Sequence, residues 1–186
     1  MWLDFGVTLC QPDVFDKALA ARKHELENVK IRSTLSVRPL AVVDEDPEGQ
    51  HFHMFSWHFS SYDRKKHDAG LCNYIPLNLG EVPDYYRRFL DPVDIAILKT
   101  CPMDDSGCFN FGPTNVWQRA VVECSKMVIV EVDHAMPYVF GKDNGVHISE
   151  VDFILEGSHQ PCAELPNPAT LPRTPSRFGF IDRRRQ

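Results

Sequence analysis

Several familiar signatures are missing from this sequence. It contains no Gly-x-Gly-x-x-Gly stretch, no Walker loop and no Gly-x-Ser-x-Gly elbow. The usual sequence grounds for a dinucleotide fold, a P-loop phosphate site or an α/β-hydrolase nucleophile are therefore gone. Six cysteines stand at 10, 72, 101, 108, 124 and 162, and none forms a Cys-x-x-Cys pair. Their spacing suggests neither zinc nor a disulfide framework, so reduced thiols in a cytoplasmic protein are expected. No apolar run approaches the ~20 residues of a membrane span, and no membrane partner is expected. The opening "MWLDFGV" has neither a basic region nor an apolar leader, which predicts no signal peptide. Basic charge is also in short supply. The formal net charge is -6, which makes nucleic acid an unsuitable partner for the body of the chain.

What is present is enough for a core. The chain has 186 residues, 43% hydrophobic and 11% aromatic, the size of one domain or slightly more. "WLDFGV" reads as a short strand and "QPDVFDKALAARKHELEN" as a helix with Pro12 at its first position. Val14, Phe15, Ala18, Leu19 and Leu26 would share its apolar face. "KIRSTLSV" and "FHMFSWHF" read as strands, with a turn-rich loop between them. "SSYDRKKHDAG" reads as a short helix capped by Ser60 or Ser61 and stopped by Gly70. "LCNYIPL" is strand-like, and "EVPDYYRRFL" sets Val82, Tyr85, Tyr86 and Phe89 on one helix face. "VDIAIL" and "MVIVEV" are nearly continuous apolar runs, as in strands covered on both faces of a parallel sheet. The helix between them carries Val116, Trp117, Ala120, Val121 and Cys124 on one stripe. Alternating strands and helices predict an α/β fold, a mostly parallel sheet flanked by helices. Beyond "SEVDFILEG" the character changes. Five of the fourteen prolines lie between Pro161 and Pro175. The last eighteen residues hold five arginines and one aspartate, leaving about -10 for the remainder. Residues 169–186 read as a basic, unpacked tail, expected to be disordered.

Three stretches could carry chemistry. The first is "CPMDDSGCFNFGPTN", residues 101–115, just past a buried strand, where ligands gather in open parallel sheets. Gly107 and Gly112 permit sharp turns and close approach, while Asp104, Asp105 and Ser106 could orient polar groups. The same residues also suit a capped loop entering a helix. The second is "HFHMFSWHF". His51 and His53 would share one strand face, a possible metal arrangement with His58 nearby. No acidic or cysteine ligand has a clear place beside them, so an ordinary half-exposed strand, with no metal, is the reading taken. In the third, Glu131 and Asp133 end a buried strand, His134 follows, and Glu150 precedes the next strand. Carboxylates and a histidine could do acid–base work there, or simply be solvated strand ends.

The blocks "DFGVTLCQPDVFDKALAAR", "SWHFSSYDRK", "NYIPLNLGEVPDYYR", "PVDIAILKTCPMDDSGCFNFGP" and "MVIVEVDHAMPYVFGKDNGVHISEVDFILEG" resemble, in order, the acetyl-CoA hydrolase/transferase family. Within it they are similar to 4-hydroxybutyrate and butyrate coenzyme A transferases. The resemblance runs from Trp2 to about Pro168 and implies a CoA-transferase-like N-terminal α/β domain over residues 1–168, with a shortened start. It implies a reaction moving coenzyme A, as substrate, between an acyl-CoA and a small carboxylate such as acetate, butyrate or 4-hydroxybutyrate. An acetyl-CoA hydrolase, and a non-catalytic fragment or binding module, are the alternatives. Family members have a second, related domain that supplies a nucleophilic glutamate beside a Gly-rich loop, attacking the thioester and then carrying CoA. Full-length members are expected to form homo-oligomers. The resemblance gives this chain no catalytic residue and predicts that it is inactive alone, lacking its C-terminal partner domain. Pro102, Met103, Asp104, Gly107 and Gly112 match a signature loop expected to line the cleft. Glu131 and Glu150 match first-domain blocks and are further cleft candidates.

Overall fold

The computed structural model describes residues 1–157 and 161–163. Nine strands run β1 (Trp2–Val7), β2 (Val29–Thr34), β3 (Phe52–Ser56), β4 (Cys72–Tyr74), β5 (Ile95–Thr100), β6 (Cys108–Asn110), β7 (Val128–Val132), β8 (Gly145–His147) and β9 (Phe153–Glu156). Five helices join them: α1 (Asp13–Ala21), α2 (Ala41–Asp44), α3 (Ser61–Asp68), α4 (Val82–Arg88) and α5 (Gln118–Glu123). Seven strands form one sheet in the order β4-β3-β2-β1-β5-β7-β9, every neighbouring pair parallel. β6 and β8 make a separate antiparallel ribbon. The α/β class read from the sequence is borne out.

The two apolar runs became β5 and β7, with β5 enclosed between β1 and β7. Alternation along β5 feeds two cores. Ala96 and Leu98 pack with Val82 and Tyr86 of α4 and Val121 of α5. Ile97 faces the other way, with Phe5, Ala20, Ile31 and Val42. Helix α3 begins where its sequence signal stands. Ser60 accepts from the amides of Tyr62 and Asp63, and Asp63 accepts from the amide of Ser60, a reciprocal cap.

Several local expectations are corrected. Helix α1 ends at Ala21, and Pro12 stands just outside it. The continuation to Asn28 is only a 3-10 turn over Lys23–Glu25, followed by Asn28 at φ 52. The fully buried residues of α1 are Asp13, Asp16 and Ala20, while Phe15 and Leu19, with Leu26 beyond the helix, are half-buried against the core as their spacing predicted and Ala18 is exposed. Asp16 accepts from the amides of Ala41 (2.7 Å) and Val42 (3.1 Å), opening α2. Phe89 and Val116 lie outside their apolar stripes, 70% and 47% exposed.

The reading of all six cysteines as reduced thiols is also corrected. Cys10 and Cys162, 152 positions apart, are joined in a disulfide with their Cα atoms 4.9 Å apart. Spacing along the chain carries no signal for a pair that only the sheet brings together. Cys72, Cys101, Cys108 and Cys124 are free thiols. Residues 169–186, read as an unpacked tail, lie outside the described residues. Among the described residues, no helix is long and apolar enough to cross a membrane.

Candidate functional site

The order of strands places the site. β2 lies on one side of β1 and β5 on the other, so the chain reverses its direction of sheet growth there. Connections leaving β1 and β5 diverge, and a crevice opens beyond their carboxyl ends. An apolar pocket of about 220 Å³ lies in this region, lined by Leu9, Leu35, His58, Leu79, Val116 and Trp117, with Thr34 completing the wall. Leu35 stands at φ 50, a conformation that costs a side-chain-bearing residue on the order of 1–3 kcal/mol and that concentrates at ligand sites. Its amide donates to the His58 carbonyl at 2.8 Å, which holds the ends of β2 and β3 together under the pocket.

A buried ionic group lies at the carboxyl ends of β5 and β7. The Lys99 Nζ of β5 lies 2.9 Å from Asp13 and 3.3 Å from Asp133. Glu131, fully buried at the end of β7, accepts from the amides of Val14 (3.2 Å) and Phe15 (2.9 Å). These are first-turn amides of α1 that have no intrahelical acceptor, and the helix dipole favours a carboxylate there. Charges are taken from water here, and each is met by an opposite charge or a donor. The group anchors α1 across the strand ends.

The loop 101–115 divides between two tasks. Its first half is a turn built on Asp104. Asp104 Oδ1 accepts from the Ser106 hydroxyl (2.6 Å), the Ser106 amide (2.9 Å) and the Cys108 amide (3.0 Å). The Ser106 hydroxyl, foremost among these, holds the Asp104 carboxyl below its ordinary pKa. Pro102 is half-buried, Met103 is 51% exposed, and Gly107 turns the chain at φ 79. The second half packs inward. Asn110 Oδ1 accepts from the Gly112 amide (2.8 Å) and the Val139 amide (3.2 Å). Gly112 stands at φ 61, and a Cβ there would lie 2.6 Å from Met136 Cε. From this glycine the chain leads to Val116 and Trp117, one wall of the pocket.

The candidate residues therefore do not converge on one point. Asp104 and Gly107 share the turn, and Gly112 sits behind the pocket wall. Glu131 is buried beneath α1. Glu150 is exposed and paired with Arg119 of α5 at 2.6 and 3.0 Å, which lowers its carboxyl pKa. In the parallel register Glu131 stands opposite Leu155, five residues beyond Glu150, so the two glutamates occupy different levels of the sheet. Nor do the histidines gather: His51 Nδ1 lies 2.9 Å from the Leu26 carbonyl, while His58 lines the pocket. Among the described residues, no group of three His, Cys, Asp or Glu is placed to hold a metal.

Residues 1–166 match the acetyl-CoA hydrolase/transferase N-terminal domain. The chain belongs to this family. It is 42% identical over 165 residues to the butyryl-CoA:acetate CoA-transferase of Anaerostipes caccae, covering 88% of this chain and 37% of that one. It is 36% identical over 101 residues to the 4-hydroxybutyrate coenzyme A transferase of Clostridium kluyveri, covering 54% of this chain and 23% of that one. Among solved structures, RipA from Yersinia pestis superposes with a TM-score of 0.78 at 26% identity, over 92% of this chain and 42% of the other. The chain thus spans well under half the length of the relatives it matches. The family resemblance read from the sequence blocks is borne out. In this acetyl-CoA hydrolase/transferase domain the pocket itself was not read from the sequence. Leu9, Leu35 and Leu79 carry no motif, and a positive φ at a leucine has no sequence signal.

Proposed function

We propose that this chain is the N-terminal part of a CoA-transferase that moves CoA between an acyl-CoA and a small carboxylate such as acetate, butyrate or 4-hydroxybutyrate. In this reading it contributes the pocket for the short acyl chain. The observation that carries the proposal is the apolar pocket at the switch point of the sheet, in a family whose named relatives exchange butyryl and acetyl groups on CoA. Its lining is mostly hydrocarbon, with His58 among the few polar side chains, which suits a short aliphatic tail. The 186-residue chain by itself is read as inactive. Glu131 is committed to the amides of α1 and Glu150 to Arg119, so neither is free to attack a thioester. The nucleophilic glutamate is assigned to a second domain, as the family resemblance implies. Incubation with butyryl-CoA and acetate should then yield no acetyl-CoA.

Calorimetric titration of the chain with acetyl-CoA and butyryl-CoA tests the pocket. Two further buried methylenes contribute about 0.8 kcal/mol each, so butyryl-CoA should bind about fifteenfold more tightly. Val116 is 47% exposed, and Val116→Asp should remove that preference without unfolding the chain. Equal affinity for the two thioesters in the unaltered protein would overturn the assignment.

A further inference from the structure

Three cysteines meet at the carboxyl end of the sheet. Cys10 follows β1 and is 3% exposed, and Cys101 follows β5 and is also 3% exposed. Both pack with Met136 and with the half-buried Cys162. Cys10 and Cys162 are bonded, and two hydrogen bonds reinforce the junction. The Ala163 amide donates to the Leu9 carbonyl at 3.0 Å, and the Arg38 guanidinium donates to the Pro161 carbonyl. Residues 161–163 therefore lie across the turn that follows β1. Leu9, held by that turn, is a wall of the apolar pocket.

We propose that the Cys10–Cys162 disulfide is a redox-controlled clasp. When oxidised it fixes Leu9 in the pocket wall, and when reduced it frees the turn and loosens the pocket. The effect on the ligand rests on the acyl-pocket reading above, but the clasp itself does not.

The chemistry follows from exposure. A dithiol reductant reaches the half-buried Cys162 sulfur more readily than that of Cys10. Its thiolate bonds to the Cys162 Sγ, the S–S bond breaks, and Cys10 leaves as a thiolate that takes up a proton. The second thiol of the reductant then displaces Cys162 as a thiol and closes the reductant's own disulfide. Two electrons and two protons pass to the protein. Cys101 stands by without competing. Burial first, and the Asp133 carboxylate second, push its thiol pKa up, and its Sγ lies 3.4 Å from the Met136 carbonyl. It remains a protonated thiol, so disulfide shuffling to Cys101 is disfavoured.

The test compares the oxidised chain, the chain reduced with dithiothreitol and a Cys162→Ser variant. Thiol alkylation with mass spectrometry reads the redox state, hydrogen exchange reads the turn, and butyryl-CoA titration reads the pocket. Alkylation should find Cys10 and Cys162 blocked before reduction and free after it. Peptides covering residues 8–11 and 161–163 should exchange at least tenfold faster after reduction, and Cys162→Ser should show the fast pattern without reductant. Butyryl-CoA should bind at least threefold more tightly to the oxidised chain, and reductant should leave its binding to Cys162→Ser unchanged. Free Cys10 and Cys162 in the air-oxidised protein would overturn the clasp, as would exchange that reduction leaves unaltered. Faster exchange with unaltered butyryl-CoA affinity would overturn control of the pocket. Binding of butyryl-CoA to neither form would overturn the acyl-pocket reading and with it that control, while exchange alone would still decide the clasp.

Discussion

Asp4, in β1, is a carboxylate almost cut off from water, 1% exposed. It accepts from the Tyr86 hydroxyl and, at 2.8 Å, from the Gly6 amide. Burial raises its pKa from 3.8 to about 6 against the opposing pull of these bonds and of Arg32. The folded-state value lies above the unfolded one, so the folded chain holds this proton more tightly. That contribution to stability is complete below about pH 4 and is lost as pH rises through about 6. A shift of this size corresponds to on the order of 3 kcal/mol. Asp16 is raised to about 6 as well, again chiefly by burial, and acts in the same window. Urea unfolding at pH 4 and pH 7 should show Asp4→Asn losing roughly 3 kcal/mol less than the unaltered chain over that interval. Equal losses would mean that Asp4 is ionised throughout. At this scale the sequence was legible for residues whose role is local. Ser60 caps α3 as its position announced, and Asp104 organises the turn that its neighbours suggested. Glu131 was not legible, because its partners Val14 and Phe15 lie more than a hundred positions away.

Two glycines show how an element can be set by its own sequence or by its surroundings. Gly70 closes α3 at φ 78, and a Cβ added there would meet nothing within 4 Å. Gly70→Ala should cost about 1 kcal/mol, the strain of a left-handed residue alone. Gly112 has a similar φ, but a Cβ there would meet Met136 Cε at 2.6 Å and the Pro137 carbonyl at 3.1 Å. Gly112→Ala should therefore cost about 2–4 kcal/mol, strain plus overpacking. The Gly112→Ala/Met136→Ala double variant should recover part of the overpacking cost and none of the strain. Urea unfolding of the four chains measures both, and equal costs at the two glycines would show that the Met136 contact yields without penalty. Helix α1 teaches the same point in reverse. Phe15 and Leu19 pack on the core as their spacing predicted, yet the structure also buries Asp13 and Asp16, which the apolar pattern did not announce. Lys99 and the amides of α2 supply partners that no local pattern displays.

For the whole molecule, the sheet sets a gradient of protection. β5 is hydrogen-bonded on both sides and covered on both faces, and β7 is paired with β5 and β9. β4 and β9 are the outer strands, and Phe153 and Ile154 of β9 are 57% and 49% exposed. Native-state hydrogen exchange should find the slowest amides in β5 and β7 and faster ones in β4 and β9. Uniform protection across the seven strands would mean that the sheet opens only as a unit. By itself the sequence determined the fold class, the two inner strands, the stop of α3 and the family. Each of these is written in neighbouring residues or in the order of short blocks, and each is enforced by local geometry and by the need to bury contiguous apolar runs. Only the tertiary structure decided the pocket, the buried ionic group and the disulfide. Leu9, Leu35, His58, Leu79 and Trp117 come from five separate connections, and Cys10 meets Cys162 across nearly the whole chain. In a parallel sheet adjacent strands are joined through long crossovers, so residues that touch at the strand ends are far apart in sequence, and no local pattern records their meeting.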